Sequence, residues 1–408
     1  MSQIPVSIAY GSARPLSLSI DPARLRLNFV PPPAVAGLTE KLDELLEQPL
    51  EFPALRQAIV PGDRVALVLD QRVPQGEQVL SSVVRLLTSH GVEAGDILVL
   101  QPADLRGQRA RDPRGALAPE AARDVQWATH DPTIEDGAAY LASTAGGERI
   151  YLSKKLLDSD VMVILGATTF DPVLGYRGTG SALYPGLSTT EALRKSMGQG
   201  HDELGPDDSR PIRQMIDEIQ WLAGLQFVVQ VIPGAGGMAG GVFAGSADAV
   251  FREARAALGA AWKIAAGERA EMVIVSVDEP ASRQTWFEIG AALDVARRLV
   301  SKDGRIILLS QIQAPLSEGM EILREAHKPR DALKPLRERQ PADLIPATQI
   351  AQALDWANVY LLSRLPGDTV EDLCIVPLND IAEVERLVEQ AEDVTVVGAA
   401  HHVSVTAS

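Results

Sequence analysis

The sequence predicts an α/β protein built from two domains, and three observations support this prediction. Short apolar segments of strand length alternate with helical segments along most of the 408 residues, which is the pattern of parallel or mixed sheets covered by helices. Aromatic residues make up only 4% of the chain, so aliphatic side chains must fill the core, as they do in helix-covered parallel sheets. At about 150 residues per domain, this length corresponds to two or three domains.

The N-terminal half begins with strand-like segments and then alternates strands with helices. Turn residues precede a clear strand at residues 64–69 (RVALVL), and a second clear strand is residues 160–165 (DVMVIL). Helical spacing of the apolar residues marks residues 38–46 and 78–87. The other strands predicted in this half are residues 6–10, 25–29, 96–100, 124–127 and 227–232.

The alternation restarts after a long predicted helix, residues 247–264, whose apolar side chains share one face. We therefore expect an N-terminal domain of residues 1–250 and a C-terminal domain of residues 251–408, with this helix near the hinge. Apolar residues at fourfold spacing predict another helix at residues 284–299. The strands predicted in this half are residues 271–277, 305–309, 358–362, 373–376 and 394–397.

Composition and charge exclude several classes of protein. The 38 basic and 54 acidic residues give a net charge of −16, which disfavours general binding to the phosphate backbone of nucleic acids. The single cysteine, Cys374, permits no intrachain disulfide and no cysteine-rich zinc site. The apolar runs are far shorter than the roughly 20 residues that span a bilayer, and the sequence starts without a signal-peptide pattern. We expect a cytoplasmic protein without nucleic-acid or membrane partners.

The sequence lacks the common generic motifs for phosphate, dinucleotide or zinc binding and for a nucleophilic serine. The adjacent histidines His401 and His402 fall in a segment that we predict to be a strand. Successive residues of a strand point to opposite faces. This prediction therefore separates the two imidazoles, and we expect no metal site.

Residues 166–186 (GATTFDPVLGYRGTGSALYPG) are the best candidate for a ligand-binding loop. They follow the predicted strand at residues 160–165, and ligands of open α/β sheets bind beyond the carboxyl ends of the strands. Glycines and prolines predict an irregular backbone here, and the loop carries Asp171, Arg177 and Ser181. The alternative interpretation is a long connection that contains a tight packing turn.

Several segments carry a resemblance by their order and spacing: residues 51–55 (EFPAL), the strand ending at Asp70, His130-Asp131, the glycine-rich loop ending in Tyr184-Pro185-Gly186, and residues 210–213 (RPIR), 227–229 (FVV) and 242–245 (VFAG). They resemble the nickel-pincer lactate racemase family. The resemblance implies two α/β domains with the active site in the cleft between them. It also implies hydride abstraction from the α-carbon of a 2-hydroxy acid by a nickel-pincer cofactor, which is tethered to a lysine and whose nickel is bound by a histidine. Two further histidines act as acid and base in that family, while arginine and lysine hold the carboxylate.

The sequence departs from the family pattern at the positions that carry its chemistry. Ser181 stands where the family has the tethering lysine, and a serine hydroxyl cannot form the thioamide link. Asp171 replaces a catalytic histidine, and Met197, four residues before His201, lies near the position of the nickel-binding histidine. Arg72 lies one place out of register with the family's arginine, and residues 101–107 contain Asp104 but no histidine. Glu288 and Ala291 or Ala292 stand in place of a glutamine and a lysine.

Three functional hypotheses remain open. The first is an active nickel-pincer racemase or epimerase of 2-hydroxy acids, in which Lys195 or another distant lysine tethers the cofactor. The second is an enzyme without the pincer, in which Asp171 serves as a base and Arg177 or Arg72 binds an anionic substrate. The third is a catalytically silent relative that binds a small metabolite or a protein partner.

We favour a divergent member that binds a small anionic metabolite of the 2-hydroxy acid type in the interdomain cleft. We expect no cofactor and leave the oligomeric state open. The candidate catalytic residues are Asp171, Arg177 and Ser181, and the candidate substrate-binding residues are Arg72, Asp104, Tyr176 and His130. Structural alternatives are a hydrogen-bonded pair with Asp131 for His130, a solvated turn for His201 and a bracing contact for Arg213.

Overall fold

The computed structural model describes residues 3–102, 110–134, 136–196, 198 and 204–406. Two six-stranded sheets with helices packed against them form its frame, which confirms the predicted α/β fold. Among the described residues, no helix combines the length and apolar composition needed to cross a bilayer. The helices are α1 (Leu38–Glu47), α2 (Gly76–Ser89), α3 (Pro119–Asp124), α4 (Lys154–Leu157), α5 (Thr190–Ser196), α6 (Pro211–Leu222), α7 (Ala247–Trp262), α8 (Trp286–Leu299), α9 (Glu318–Glu325), α10 (Leu333–Arg339), α11 (Leu344–Trp356), α12 (Gly367–Asp372) and α13 (Ile381–Glu389).

The strands include those predicted in both halves, apart from the one at residues 373–376, and several that the sequence analysis did not identify. In chain order they are β1 (Ile4–Ile8), β2 (Leu16–Ile20), β3 (Leu25–Phe29), β4 (Val65–Leu69), β5 (Ile97–Gln101), β6 (Gln126–Thr129), β7 (Ala138–Ser143), β8 (Arg149–Ser153), β9 (Val161–Ala167), β10 (Thr169–Asp171), β11 (Gly175–Arg177), β12 (Phe227–Pro233), β13 (Ala239–Ser246), β14 (Lys263–Ala265), β15 (Ala270–Ser276), β16 (Val300–Leu309), β17 (Asn358–Leu362), β18 (Val376–Leu378), β19 (Val394–Val397) and β20 (Ser404–Thr406).

The first sheet has the strand order β13–β12–β9–β4–β5–β6. Its edge strand β13 is antiparallel to β12, and the other neighbouring strands are parallel. The chain moves outward from β4 to β5 and β6, and then returns with β9 on the other side of β4. The connections after β4 and β9 therefore leave the sheet in opposite directions. Such a topological switch point opens a crevice at the carboxyl ends of the two strands.

The second sheet has the order β18–β17–β16–β15–β19–β3, and all its neighbouring strands are parallel. The chain moves outward from β15 through β16 and β17 to β18, and then returns with β19 on the other side of β15. A second switch point therefore lies between β15 and β19. The central strands of both sheets are almost fully buried, because other elements cover both faces of each sheet.

The first three strands lie with the second sheet. β3 pairs with β19, and the buried side chains of the β1–β2 hairpin pack with those of β15, β16 and β19 in one apolar cluster. Helix α7 packs on β12 and β13, and its last residue, Trp262, belongs to the core beneath α8. The domain boundary near residue 250 stays a prediction. The structure adds that the chain crosses from the second sheet to the first soon after β3.

Three predicted elements differ from the structure. The predicted helix at 247–264 ends at Trp262, because residues 263–265 form β14, which pairs with β20. Residues 370–372 end helix α12, so that the strand predicted at 373–376 is displaced to Val376–Leu378. The predicted strand through His401 and His402 is wrong. The strand predicted at residues 394–397 is present and ends at Val397; Ala399, at a positive φ of 47°, then turns the chain into a short 3-10 helix, Ala400–His402.

Candidate functional site

A cleft of about 410 Å³ lies between the carboxyl ends of the central strands of the two sheets. Residues that follow β4 and β9 line it on one side, and residues that follow β15 and β19 line it on the other. Both switch-point crevices therefore open into one cavity. Clefts in this position are where α/β proteins bind small molecules.

Four charged side chains form an arginine–aspartate cluster at the first crevice: Asp70, Arg72, Asp171 and Arg177. Asp70 directly follows β4, and its Oδ1 lies 3.5 Å from Nε of Arg72. Arg177 lies between the two carboxylates, with Nη1 at 3.4 Å from Oδ2 of Asp171 and Nε at 3.9 Å from Oδ2 of Asp70. Each arginine side chain is 25% exposed, against 12% and 14% for Asp70 and Asp171, so the arginines are the more accessible partners.

Asp171 also shapes the loop on which it lies. It ends β10, and its Oδ1 accepts hydrogen bonds from the backbone N–H groups of Val173 and Leu174 at 2.8 and 2.9 Å. These bonds close the turn of the β10–β11 hairpin, since an aspartate accepts readily from the backbone two residues further on. The turn fixes the position of Oδ2, the oxygen that pairs with Arg177.

Ser181 lines the cleft from the 3-10 helix Thr179–Ala182, which follows β11. Its side chain is buried, and Oγ accepts a hydrogen bond from the N–H of Gly178 at 2.9 Å. The carbonyl of Gly178 accepts in turn from the N–H of Ser181 and from Nη1 of Arg213, both at 3.1 Å. The hydroxyl is thus part of a local cap that stabilises the start of this short helix.

Buried polar side chains from β12 and α6 hold the next peptide groups of the loop. Oε1 of Gln230 accepts from the N–H of Thr179 at 3.1 Å, and Oε1 of Gln220 accepts from the N–H of Gly180 at 3.1 Å. Arg213 donates to the hydroxyl of Thr179 at 3.4 Å. Arg213 therefore braces the glycine-rich loop, which is the structural role that we considered for it from sequence. The loop that it contacts belongs to its own half of the chain.

Two of the candidate substrate-binding residues point elsewhere. The hydroxyl of Tyr176 donates to Oδ1 of Asp207 at 2.7 Å, and the guanidinium of Arg255 lies 4.4 Å from the centre of its ring. Burial raises the pKa of Tyr176. In the described part of the chain, Tyr176 is not among the residues that line the cleft. Its neighbour Arg177 does line it, because successive strand residues face opposite sides.

His130 is a buried residue beside β6, and it too is absent from the described lining of the cleft. Its Nε2 lies 2.6 Å from the carbonyl oxygen of Ser188 and donates to it. Burial lowers the pKa of His130. The carboxylate of Asp131 accepts instead from the N–H and hydroxyl of Thr133, so the hydrogen-bonded pair that we considered from sequence is not formed.

The remaining candidates divide between the cleft and the part of the chain that is not described. Arg72 lines the cleft, as do Asp171, Arg177 and Ser181. Asp104, Met197 and His201 lie outside the described residues. The functional roles of all these residues stay predictions.

The cleft does not fit a cofactor that is tethered to lysine. Every lysine of the sequence lies in the described part of the chain, and none of them lines the cleft. Nζ of Lys195 lies 3.2 Å from Glu191 and 3.4 Å from Glu148, and the side chain is 55% exposed. The position of the family lysine is held by Ser181, whose oxygen caps the loop. We therefore assign no step of chemistry to a nickel-pincer group.

A second polar cluster, which the sequence analysis missed, lies at the crevice of the second sheet: Asp278, Glu279, His401 and His402. Nε2 of His401 lies 3.9 Å from Oδ1 of Asp278, and Nε2 of His402 lies 4.0 Å from Oε1 of Glu279. The two imidazole centres are 3.9 Å apart. Oδ2 of Asp278 accepts from the N–H of Gly236 at 2.6 Å, and burial raises the pKa of Asp278.

Residues 166–186 were selected because they follow the carboxyl end of a strand. The same reasoning applies to this second cluster. Asp278 and His401 follow neighbouring parallel strands at their carboxyl ends, where ligands of α/β sheets bind. Gly398, directly after the predicted strand 394–397, was the available signal for a turn. The assignment of His401 and His402 to a strand, in which they would face opposite sides, concealed the cluster.

Comparisons with known proteins agree with this architecture. The family model of the lactate racemase N-terminal domain matches residues 11–201. The structure of the lactate racemase apoprotein from Thermoanaerobacterium thermosaccharolyticum is similar in fold, with a TM-score of 0.79 and 14% identity over 99% of this chain and 100% of that chain. The crystal structure of a Thermotoga maritima protein has a TM-score of 0.68 and 14% identity over 93% of this chain and 100% of that chain.

A search of curated proteins finds no significant match. The family match covers the segment with the first crevice and the glycine-rich loop, while the structural similarity extends over both sheets. By sequence, residues 11–201 therefore match the lactate racemase N-terminal domain, and by fold the whole chain is similar to the lactate racemase apoprotein.

Proposed function

We propose that this chain is a divergent lactate racemase-like protein that binds a small anionic metabolite of the 2-hydroxy acid type in the cleft, without a lysine-tethered nickel pincer. The observation that carries this proposal is the arginine–aspartate cluster. Arg72 and Arg177 line the same wall of the cleft, on either side of Asp70. The guanidinium group is the side chain best suited to bind a carboxylate through two parallel hydrogen bonds.

The contacts within the cluster leave hydrogen-bonding capacity for a ligand. Strong charge-assisted N–H···O bonds are about 2.7–2.9 Å long, whereas the arginine–aspartate contacts measure 3.4–3.9 Å. In the described part of the chain, Nε of Arg177 is buried and has no hydrogen-bond partner. A carboxylate placed between the two arginines would supply acceptors at shorter distances. The aspartates, already bonded to backbone N–H groups, keep the arginines in place.

The rest of the wall fits the remainder of such a ligand. Leu174 and Phe287 give apolar surface on opposite sides of the cleft, which suits a short carbon chain. Asp171 and Ser181 place oxygen atoms on the same loop as Arg177, and these are acceptors for the hydroxyl of a 2-hydroxy acid. In this arrangement the arginines bind the carboxylate, and Asp171 accepts the proton of the substrate hydroxyl as a hydrogen bond.

Calorimetric titration of the tag-free full chain with D-lactate, L-lactate and malate tests this proposal, with lactamide as the ligand that lacks the carboxylate. We expect binding of the acids and none of lactamide. Arg72→Ala and Arg177→Ala should each weaken binding of the acid by at least about tenfold, the equivalent of 1.4 kcal/mol. Arg85→Ala, which removes an exposed arginine paired with Asp43, is the matched control and should have no effect. Binding of lactamide, or unchanged affinity in both cleft variants, would contradict the proposal.

Two further measurements separate a silent binder, an enzyme without the pincer and the family's own activity. Chiral chromatography of each lactate enantiomer after incubation shows whether the chain interconverts them. The denatured mass, after co-expression with the enzymes that make the cofactor, should equal the mass of the polypeptide. Added mass on a lysine-containing peptide, together with racemisation, would establish the alternative, an active nickel-pincer racemase.

A further inference from the structure

The polar cluster at the second crevice has no part in the anion binding proposed above, and the backbone brings it together independently. β15 and β19 are parallel neighbours, with Val275 opposite Val397. The chain leaves β15 through Val277 to Asp278. It leaves β19 through the turn at Ala399, whose N–H donates to Oγ of Ser276 at 3.2 Å. The two exits therefore deliver their side chains to the same place beyond the sheet.

The ligand atoms of three side chains converge there. One carboxylate oxygen of Asp278 and one nitrogen each of His401 and His402 all lie within 4.8 Å of one another. A tetrahedral ion with bonds of about 2.0–2.1 Å to nitrogen and oxygen holds its ligand atoms about 3.3 Å apart. The separation of 3.9 Å between Asp278 Oδ1 and His401 Nε2 is close to that value. Small side-chain rotations would complete the set.

The aspartate points to a cation at this position. The side chain of Asp278 is 1% exposed, and one of its oxygens is fixed by the N–H of Gly236. Within the described residues, the other oxygen, Oδ1, has no hydrogen-bond partner, and no arginine or lysine lies within 4 Å of the carboxylate. Buried carboxylates in proteins are paired with a cation or coordinate a metal ion. The two imidazoles beside Oδ1 are the other ligands that such an ion needs.

We propose that Asp278, His401 and His402 form a binding site for a divalent transition-metal ion of the zinc type. Two imidazole nitrogens and one carboxylate oxygen suit zinc, cobalt(II), nickel(II) or iron(II), whereas magnesium and calcium prefer sites made of oxygen atoms. Three protein ligands leave one coordination position for water or a ligand, as in catalytic zinc sites. His401 and His402 line the cleft, so this open position is directed toward the same cavity.

This site differs from the one that the family resemblance implies. The family's nickel-binding histidine corresponds to a position near Met197 on the first half of the chain, whereas the three ligands proposed here all follow strands of the second sheet. It requires no tethered cofactor and does not rest on the proposed anion binding. The alternative to be tested is a histidine–carboxylate cluster that binds no metal.

The test uses the tag-free full chain after EDTA treatment and removal of the chelator. Zinc chloride is titrated against a chromophoric chelator, and cobalt chloride is followed by its visible absorption. We expect one zinc ion per chain and a cobalt spectrum typical of nitrogen and oxygen ligands. Asp278→Asn, His401→Gln and His402→Gln should each weaken zinc binding by at least about 100-fold, because loss of an outer partner alone costs 10–100-fold. Each should also abolish the cobalt bands.

His90→Gln and His327→Gln remove exposed histidines outside the cluster and are the matched controls, which should bind zinc as the wild type does. Asp278→Asn retains the size of the side chain and an oxygen that can accept from Gly236, and circular dichroism checks that it folds. Arg72→Ala should also leave zinc affinity unchanged, which separates this site from the arginine–aspartate cluster. Absence of zinc and cobalt binding by the wild type, or zinc affinity equal to that of the wild type in all three cluster variants, would overturn the proposal.

Discussion

The two sheets have the same topology at their centres and place opposite chemistry there. At the first switch point, two arginines alternate with two aspartates in one line of contacts. At the second switch point, a buried aspartate lies against two histidines. The topology explains why both clusters lie at the ends of neighbouring strands. The side chains alone are the basis on which we propose an anion at the first cluster and a cation at the second, as expected when function is carried by sites rather than by folds.

The two crevices also differ in how they are supported. The loop of the first crevice is held by long side chains from other elements, among them Gln230 and Arg213. At the second crevice, the hydroxyl of Ser276 accepts from the N–H of Ala399, and Gln284, which is close in sequence, donates to the carbonyls of Val277 and Glu279. The first crevice therefore depends on buried side chains that can be removed one at a time.

The largest effect is expected from Gln230→Leu, which breaks the support of the first crevice. Gln230 is fully buried, and its Oε1 accepts from the N–H of Thr179 and the hydroxyl of Thr168. Leucine would leave two buried donors without an acceptor, at a cost of about 1–3 kcal/mol each. We expect the free energy of unfolding to fall by about 3 kcal/mol in urea denaturation. Gln214→Leu, on an exposed face of α6, should change it by less than about 0.5 kcal/mol, and equal losses would contradict this prediction.

Zinc should produce the second-largest effect, and only through the second crevice. An ion that binds the folded chain at 100 times its dissociation constant stabilises it by about 2.7 kcal/mol. We expect thermal or urea unfolding of the wild type and of Arg72→Ala to shift by this amount. At the same zinc concentration, Asp278→Asn, with binding weakened at least about 100-fold, should shift by no more than about 0.4 kcal/mol. A shift in Asp278→Asn equal to that of the wild type would place the responsible ion elsewhere.

The buried strands and the first crevice could be predicted from the sequence, whereas one edge strand could not. Strands such as β4, β9 and β15 are continuous apolar runs because both faces are covered, and the sequence analysis identified them. The position of residues 166–186 at a strand end followed from β9, which places Asp171 and Arg177 at the cleft. The edge strand β13 (AGGVFAGS) was missed, because its pairing with β12 rather than its own residues makes it a strand.

The second crevice could not be predicted for a different reason. Ala399 adopts a left-handed backbone conformation, which costs a residue with a side chain roughly 1–2 kcal/mol and which alanine rarely occupies. Apart from Gly398, the residues around Ala399 do not indicate a turn. Likewise, the alternating apolar residues of β1 and β2 indicate strands with one buried face. They do not indicate that this face packs on the second sheet, since that contact is remote in sequence.

A smaller effect is expected from Ser181→Ala, which tests whether the residue at the family's lysine position supports the first crevice. The change removes the acceptor for the N–H of Gly178, and loss of such a cap costs about 1 kcal/mol. We expect a decrease of that size in the free energy of unfolding. Zinc affinity at the second crevice should be unchanged. The comparison variant for ligand affinity is Ser188→Ala. Ser188 is not among the described residues that line the cleft, and its hydroxyl donates to the carbonyl of Tyr151. A loss of acid binding in Ser181→Ala without such a loss in Ser188→Ala would support a direct role of Ser181 at the ligand.

The smallest effect concerns His130, a buried histidine without a carboxylate partner, and it sharpens the contrast with His401 and His402. Burial lowers the pKa of His130 in the folded chain below its ordinary value, which is about 6.5 in the unfolded chain. Above that pH both states are neutral, and His130 adds no pH dependence. Below it the unfolded chain binds a proton that the folded chain does not, so stability falls as the pH decreases from about 6.5 toward the folded pKa.

Urea unfolding of the wild type and of His130→Gln from pH 8 to pH 5 tests this expectation. The difference between their free energies of unfolding gives the contribution of the proton on His130. Glutamine retains an N–H that can donate to the carbonyl of Ser188 but does not titrate in this range. We expect a constant difference above about pH 6.5. Below it the wild type should lose stability relative to the variant, with a slope of at most about 1.4 kcal/mol per pH unit, the limit for one proton. His90→Gln, at an exposed helix end, should follow the wild type. Curves that stay parallel down to pH 5 would show that His130 is protonated equally in both states, and that burial without a charged partner does not set its titration.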